Sequence, residues 1–497
     1  MRIPTAPDDS TRVHEPFLDE AKSQGRTLGL KAKVAMGLFG VALLIVAGLS
    51  FSTYSDQSIR RTPSQRHAPL LSNGTHQFRK TVILVSFDGF RADYLNRGLT
   101  PHLLDIETRG GFRAEFLTPS FPSVTFPNHY TLVTGMYPEA HGIIGNEFYD
   151  PTYNDTFYYK NDAITMQSRW WGGEPIWVTA EKHGHISAID MWPGSLAKIK
   201  GVVPTHVIPY KSGVTARSKI DQLMAWLNQP LNTRPSFLAT YVPEVDSMGH
   251  THSPDSAEVN AALATVDQGV GYLRKALEAR NLTHIVNVVY VSDHGMASVP
   301  PTNILYLDEL IDLDQVRWVY GYPLAGIVPK DDQAGEAIFK TLQEKSVGQH
   351  WAVYHRESIP TRFHFSNNDR IPPIVCIPEV GWTFYTRNQY DYAFLYTGEV
   401  DRVVGVHGYD NLDPTMRAIF LAYGPDFGGE RQVQAVPLAA LSKSAIAMGP
   451  KARRSSAVRR APHPAFSNVE VYNLLCHLLD IPASANNGTL AWQSIAV

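Results

Sequence analysis

Three apolar runs in this sequence each deliver an aspartate at or just past their C-terminal end. The first is Thr81-Val-Ile-Leu-Val-Ser-Phe-Asp88. The second runs from Ser236 to Asp246 and is followed by His250. The third is Ile285-Val-Asn-Val-Val-Tyr-Val-Ser-Asp293-His294. A further histidine, His407, sits in Gly405-Val-His407-Gly408. Imidazole nitrogens and carboxylate oxygens are what divalent ions such as zinc take, typically three from the protein with a position left for substrate or water. Asp246 and His250 are expected to turn into one pocket from a loop, with His407 completing that site, and Asp88, Asp293 and His294 make a second. Two ions about 3.5–4 Å apart form a clamp for in-line displacement at phosphorus. Singly, each residue says little, since an aspartate after a strand often caps a turn and a lone histidine is often structural. Their conjunction carries the reading.

Such chemistry needs a nucleophile. Pro119-Ser-Phe-Pro-Ser-Val-Thr125-Phe126-Pro127-Asn-His-Tyr offers Thr125. Pro127 suits the first turn of a helix, which puts Thr125 just before a helix N-terminus, where exposed N–H groups favour negative charge. A metal on the hydroxyl would lower its pKa further. The same residues fit a plain N-cap role for Thr125 equally well.

The elements that must position these groups follow from the pattern. Short β-branched runs bounded by turn residues read as buried strands of a parallel sheet, and ligands of such sheets bind at the carboxyl ends of the strands. Val259, Leu263, Val266, Val270, Leu273 and Leu277 keep the spacing of one helix face, between the second and third aspartate-bearing strands. Strand and helix patterns alternate from Thr81 onward, which predicts an α/β fold. The globular part is expected over residues 80–490. Within it, residues 300–400 are rich in proline and aromatic residues and read as an insertion or lid. Residues 432–464 read as a flexible insert with basic residues Lys451, Arg453, Arg454, Arg459 and Arg460. A processing site or a gene-model error are the other readings of that insert.

Residues 1–33 are polar and read as a disordered tail, and residues 52–79 as a stalk. Between them, residues 34–51 carry no charge. As a helix they would span about 27 Å, close to a bilayer core, and the long polar segment before them argues for a signal-anchor over a cleaved signal peptide. Asn73, Asn154, Asn281 and Asn487 open Asn-X-Thr sequons, all after the run. Together these features predict a single-pass type II membrane glycoprotein with a cytoplasmic tail. Its catalytic part would be lumenal or extracellular, in the secretory pathway, the vacuole or at the cell surface. The net charge of −3 over 497 residues gives no sign of a nucleic-acid-binding surface. The two cysteines, Cys376 and Cys476, allow either one disulfide or two free thiols.

Val85-Ser-Phe-Asp88-Gly-Phe-Arg, Pro122-Ser-Val-Thr125-Phe-Pro-Asn-His129 and Asp246-Ser-Met-Gly-His250 resemble the nucleotide pyrophosphatase/phosphodiesterase family of the alkaline phosphatase superfamily. So do Ser292-Asp-His-Gly-Met296, Val406-His-Gly-Tyr-Asp-Asn411 and Asn468-Val-Glu-Val-Tyr-Asn-Leu-Leu475. The resemblance implies a three-layer α/β/α sandwich with a mostly parallel central sheet, holding two zinc ions. By motif, Asp246, His250 and His407 would bind one zinc, and Asp88, Thr125, Asp293 and His294 the other. Thr125 would form a covalent nucleotidyl-threonine that water then hydrolyses, releasing nucleoside 5′-monophosphates. Asn146 would donate a hydrogen bond to a phosphate oxygen, Phe126 would stack on the base, and Tyr241 would line the substrate pocket. Tyr210 is a looser match for a second stacking residue. Val245 and Pro243 depart from the family pattern near Asp246, and residues 432–464 have no counterpart in it. A lysophospholipase-type diesterase or a phosphomonoesterase on the same fold are the related alternatives. A catalytically silent membrane glycoprotein is the alternative of another class, and the intact ligand set argues against it.

Overall fold

The computed structural model describes residues 69–388, 404–427 and 462–490. The tail 1–33, the apolar run 34–51, the stalk up to residue 68 and residues 432–461 of the insert lie outside the described residues. Among the described residues no helix is long and apolar enough to cross a membrane.

A seven-stranded sheet forms the centre. Its strands, numbered in chain order, are β1 (Thr81–Phe87), β2 (Phe112–Arg113), β3 (Ser187–Asp190), β4 (His206–Ile208), β5 (Phe237–Val242), β6 (Val286–Val291) and β7 (Phe420–Tyr423). They lie in the order β2-β7-β6-β1-β5-β3-β4. From β6 to β4 all pairs are parallel, and β7 runs antiparallel to both its neighbours. All seven residues of β1 are buried, as a central parallel strand covered on both faces must be. Its side chains alternate: Val82 and Leu84 enter one core, Ile83, Val85 and Phe87 the other.

Helices cover both faces. On one lie α2 (Thr125–Thr134), α3 (Ile176–Lys182) and α7 (Glu470–Leu478), contributing Tyr130, Trp177 and Leu475. On the other lie α1 (Pro101–Thr108), α4 (Ala216–Leu227) and α6 (Ala257–Glu278), contributing Leu103, Leu223 and Leu263. The expected α/β/α layering is therefore present. Helix α6 buries the predicted stripe from Val259 to Leu277, and the Ser256 hydroxyl caps it by accepting the Val259 N–H at 3.2 Å. A further helix, α5 (Glu244–His252), follows β5 directly.

Two regions differ from the expectation. Residues 71–78, read from composition as the end of a stalk, form a hairpin of Leu71–Ser72 with Gln77–Phe78. Phe78 enters the core, and Asn73 Nδ2 donates to Arg280 O at 2.9 Å. The stretch read as an irregular insertion or lid carries its own four-stranded antiparallel sheet, in the order Val316–Tyr320, Ala325–Pro329, Ile374–Pro378, Trp351–His355. Helix Asp332–Ser346 packs on it around Ile327, Ile338, Leu342 and Trp351. Short strands ending in Pro329 and Pro378 hide the two-residue period that would have announced a sheet. Cys376 lies in this sheet and Cys476 in α7; both are free and buried, and burial pushes both thiols up.

Arg370 ties the insert to the main body. Its guanidinium donates to Asp150 Oδ2 at 2.7 Å, to Gly142 O and Trp170 O at 2.7 Å each, and to Arg169 O at 3.1 Å. The side chains are 12% and 5% exposed, so the charges have little water to fall back on. Arg370→Ala is expected to cost about 3–5 kcal/mol in denaturant unfolding, chiefly by stranding Asp150. A loss under about 1 kcal/mol, the range of an exposed pair, would show that this anchor is not what holds the insert.

Candidate active site

Asp88 follows β1, and Asp293 and His294 follow β6, so all three emerge at the carboxyl ends of neighbouring strands. Asp246 and His250 come from helix α5 rather than from the expected loop. Four residues apart, they share one face of that helix, with His250 Nε2 3.4 Å from Asp246 Oδ1. His407 enters just past Val404–Val406, which passes so close to α5 that a Cβ on Gly405 would stand 2.3 Å from Gly249 O. Only glycine allows that approach.

The three histidines share one arrangement. His250 Nδ1 lies 2.8 Å from Gly405 O, His407 Nδ1 2.9 Å from Ser123 O, and His294 Nδ1 2.9 Å from Gly295 O. A carbonyl can only accept, so each Nδ1 carries a proton, and Nε2 is the nitrogen that can offer its lone pair to a cation. These Nε2 atoms converge: His250 and His407 are 3.1 Å apart, and His407 lies 3.5 Å from Asp246 Oδ1. His294 Nε2 lies 3.4 Å from Asp88 Oδ1 and 2.9 Å from Asp293 Oδ2. Asp246, His250 and His407 have ligand atoms within 4.8 Å of one another, and so do Asp88, Asp246 and His294. Asp246 thus reaches both clusters, and Asp293 stands beside the second.

Asp88 Oδ1, Asp246 Oδ1 and Asp293 Oδ2 are buried with no hydrogen-bond donor. Buried carboxylate oxygens left in this way are costly unless a cation sits against them. Burial, then the charges of Asp246 and Asp293, push the Asp88 carboxyl well above its usual range. Burial pushes Asp293 the same way, but His294 and His129 outweigh it and hold that carboxyl low. Burial lowers His407, and the neighbouring imidazoles His294 and His250 add to the effect. The donor set fits hard or borderline divalent ions, with oxygen and nitrogen ligands and no sulfur.

Thr125 is the first residue of α2, and Val124, in extended conformation, is its N-cap. Its hydroxyl lies 3.2 Å from His294 Nε2. Asn146 Oδ1 accepts the Phe126 N–H at 2.9 Å, which commits the carbonyl end of the amide and leaves Nδ2 as the end for a ligand. Phe126 packs edge-on to Phe157 and Tyr159. The half-buried Tyr241 donates its hydroxyl to Asp88 Oδ2, a metal-ligand candidate. Tyr210 is 57% exposed, with its ring centroid 6.2 Å from that of Tyr241. Of the four sequon asparagines, Asn154, Asn281 and Asn487 are exposed and Asn73 is half-buried.

The sequence motif around Thr125 gave His129 no role of its own. His129 is fully buried, with Nδ1 3.0 Å from Thr125 O and 3.2 Å from Asp293 Oδ2, and Nε2 2.9 Å from Ser86 Oγ. Its place four residues after Thr125, on the same face of a helix, was the available signal.

The type I phosphodiesterase/nucleotide pyrophosphatase family model matches residues 82–410. A Schizosaccharomyces pombe protein described as an uncharacterized pyrophosphatase/phosphodiesterase is 40% identical over 84% of this chain and 80% of its own length. Human ectonucleotide pyrophosphatase/phosphodiesterase family member 1 is 35% identical over 82% of this chain, which spans 41% of that larger protein. Among solved structures, an inactive threonine-to-alanine form of murine family member 5 in complex with AMP superposes with a TM-score of 0.70. It is 31% identical and covers 83% of this chain and 98% of its own. The chain belongs to the type I phosphodiesterase/nucleotide pyrophosphatase family. It is a hydrolase acting on phosphodiester and pyrophosphate bonds.

Because Asp246 reaches both clusters, Asp246→Ala is expected to lower bound divalent metal at both, whereas His250→Ala lowers it at one. Metal counted by atomic absorption after gel filtration checks this, and equal losses in the two variants would contradict it.

Proposed function

We propose that the chain hydrolyses nucleotides and related phosphodiesters to nucleoside 5′-monophosphates, using two zinc ions and a covalent nucleotidyl-threonine. The observation that carries the reading is the Thr125 hydroxyl beside His294, at a helix N-terminus and next to three donorless buried carboxylate oxygens. Asp246, His250 and His407 would hold one zinc, and Asp88, Asp293, His294 and Thr125 the other. Zinc supplies Lewis-acid stabilisation of phosphate oxygens and lowers the pKa of hydroxyl and water nucleophiles.

The chain's own groups do the rest. Thr125 Oγ attacks phosphorus in line, and the bond to the leaving oxygen breaks. Water then attacks on the opposite side and releases the threonine. Asn146, oriented by its bond from the Phe126 N–H, donates Nδ2–H to a non-bridging phosphate oxygen. His129 holds the Thr125 carbonyl and Asp293 in register. Tyr241, kept protonated by burial and the nearby Asp88 charge, fixes the Asp88 carboxylate. Phe126 and Tyr210 supply faces for a nucleobase. The murine relative captured with AMP in its inactive threonine-to-alanine form supports both the nucleotide and the threonine. The sequons and the apolar run at 34–51 support a membrane-anchored glycoprotein with this domain outside the cytoplasm.

The test is release of nitrophenol from a thymidine 5′-monophosphate nitrophenyl ester, with and without chelator, alongside a zinc count. Chelator-sensitive turnover with about two zinc per chain is expected. Thr125→Ala should lower kcat by roughly a thousandfold or more while keeping its zinc. Turnover that survives in this variant would exclude the covalent route.

A further inference from the structure

Beside the site lies a cavity of about 290 Å³, walled on one side by the main body and on the other by the insert. Val124 and Asn146, which flank the nucleophile and the phosphate-facing amide, lie on its wall. The opposite wall is aromatic, with Tyr320, Tyr322, Tyr385 and Phe365. The two walls meet at Gly408, immediately after His407. A Cβ there would stand 2.6 Å from Pro323 Cδ, 3.1 Å from Val124 Cγ2 and 3.3 Å from Tyr322 O. Gly408, the residue after His407, therefore touches both Val124 and Tyr322 of the cavity wall. That wall is held in place: Tyr320 donates to Arg370 O at 3.1 Å, and Arg370 is the residue that ties the insert to the body.

Two properties narrow the occupant. Apolar cavities of about 150 Å³ take benzene, so this one has room for a ring and its substituents. Among the described residues its one charged lining side chain is Glu147, which repels a phosphate. In-line displacement sends the leaving oxygen away from the nucleophile. Neither Phe126 nor Tyr210, the faces assigned above to the nucleobase, lines this cavity, while Val124, next to the nucleophile, and Asn146 do, so it lies beside phosphorus and free of the base. Resting on the function proposed above, we infer that this cavity is the leaving-group subsite and takes an uncharged, ring-bearing alcohol esterified to the nucleotide phosphate. It thereby favours diesters of that kind over substrates whose leaving group carries further phosphates.

The test uses the zinc-loaded full chain and two thymidine 5′-phosphate esters with alcohols of similar basicity, benzyl and methyl. The wild type should favour the benzyl ester in kcat/KM by about tenfold, the range of a modest apolar contact in a pocket. Val375→Phe fills the cavity from the insert sheet, and Tyr322→Ala removes part of its aromatic wall. Each should collapse the benzyl-to-methyl ratio towards unity, and using a ratio cancels any general loss of activity. Val375 is buried, so Tyr322→Ala carries the test if Val375→Phe does not fold. A wild type with no benzyl preference, or folded variants that keep it, would overturn the subsite. If neither ester is hydrolysed, the failure lies with the proposed reaction. Binding of benzyl alcohol by saturation-transfer NMR then decides the cavity: loss of the signal in Tyr322→Ala supports it, and an unchanged signal refutes it.

Discussion

Three carboxylates share one buried pocket in this protein, and each keeps one oxygen without a donor. Folding does not tolerate that arrangement for its own sake, because uncompensated charge in a low-dielectric site costs several kcal/mol. The surrounding structure is organised to bear it. Strands β1 and β6 fix Asp88 and Asp293 side by side, and α5 swings Asp246 in from β5. Three backbone carbonyls take the Nδ1 protons of the histidines, so that Nε2 is the nitrogen turned towards the acids.

What could be read from the sequence was what depends on local pattern. Strand β1 announced itself because a central parallel strand must be apolar on both faces, and helix α6 because its stripe recurs at helical spacing. The candidate ligand residues were legible for the same reason: strand ends are conspicuous. Less legible was anything set by packing between distant segments. Asp246 and His250 look the same on a loop as on a helix until α5 is seen docked against Gly405. His129 had one local cue, its place four residues after Thr125, and that spacing does not reveal its second contact, with Asp293. The insert sheet escaped because proline-ended, aromatic strands blur the alternation that a reader looks for, and the early hairpin because its strands are two residues long and its apolar anchors are Leu71 and Phe78.

The site divides its tasks between two parts of the chain. The metal-ligand candidates come from the α/β body and the glycine-flanked His407 segment. The insert supplies the aromatic wall beside them and reaches the segments of the nucleophile and of His407 through Val124 and Gly408, through Phe363 and Phe365 against Phe121, and through the Arg362–Asp410 ion pair. The two parts are clamped together by Arg370 and by the Arg362–Asp410 pair.

The hairpin at residues 71–78 fixes where the chain enters this domain. It bonds to Arg280 and Asn281, just before β6 begins, and to Arg234, just before β5. All of these sit at the amino ends of the strands, whereas the ligands sit at the carboxyl ends. A seven-residue strand such as β1 is about 23 Å long. A surface handle attached ahead of residue 69 would therefore hold the domain by its closed pole. The catalytic mouth would be left pointing outward, which makes the domain suited to immobilisation in a flow reactor or on a sensor chip.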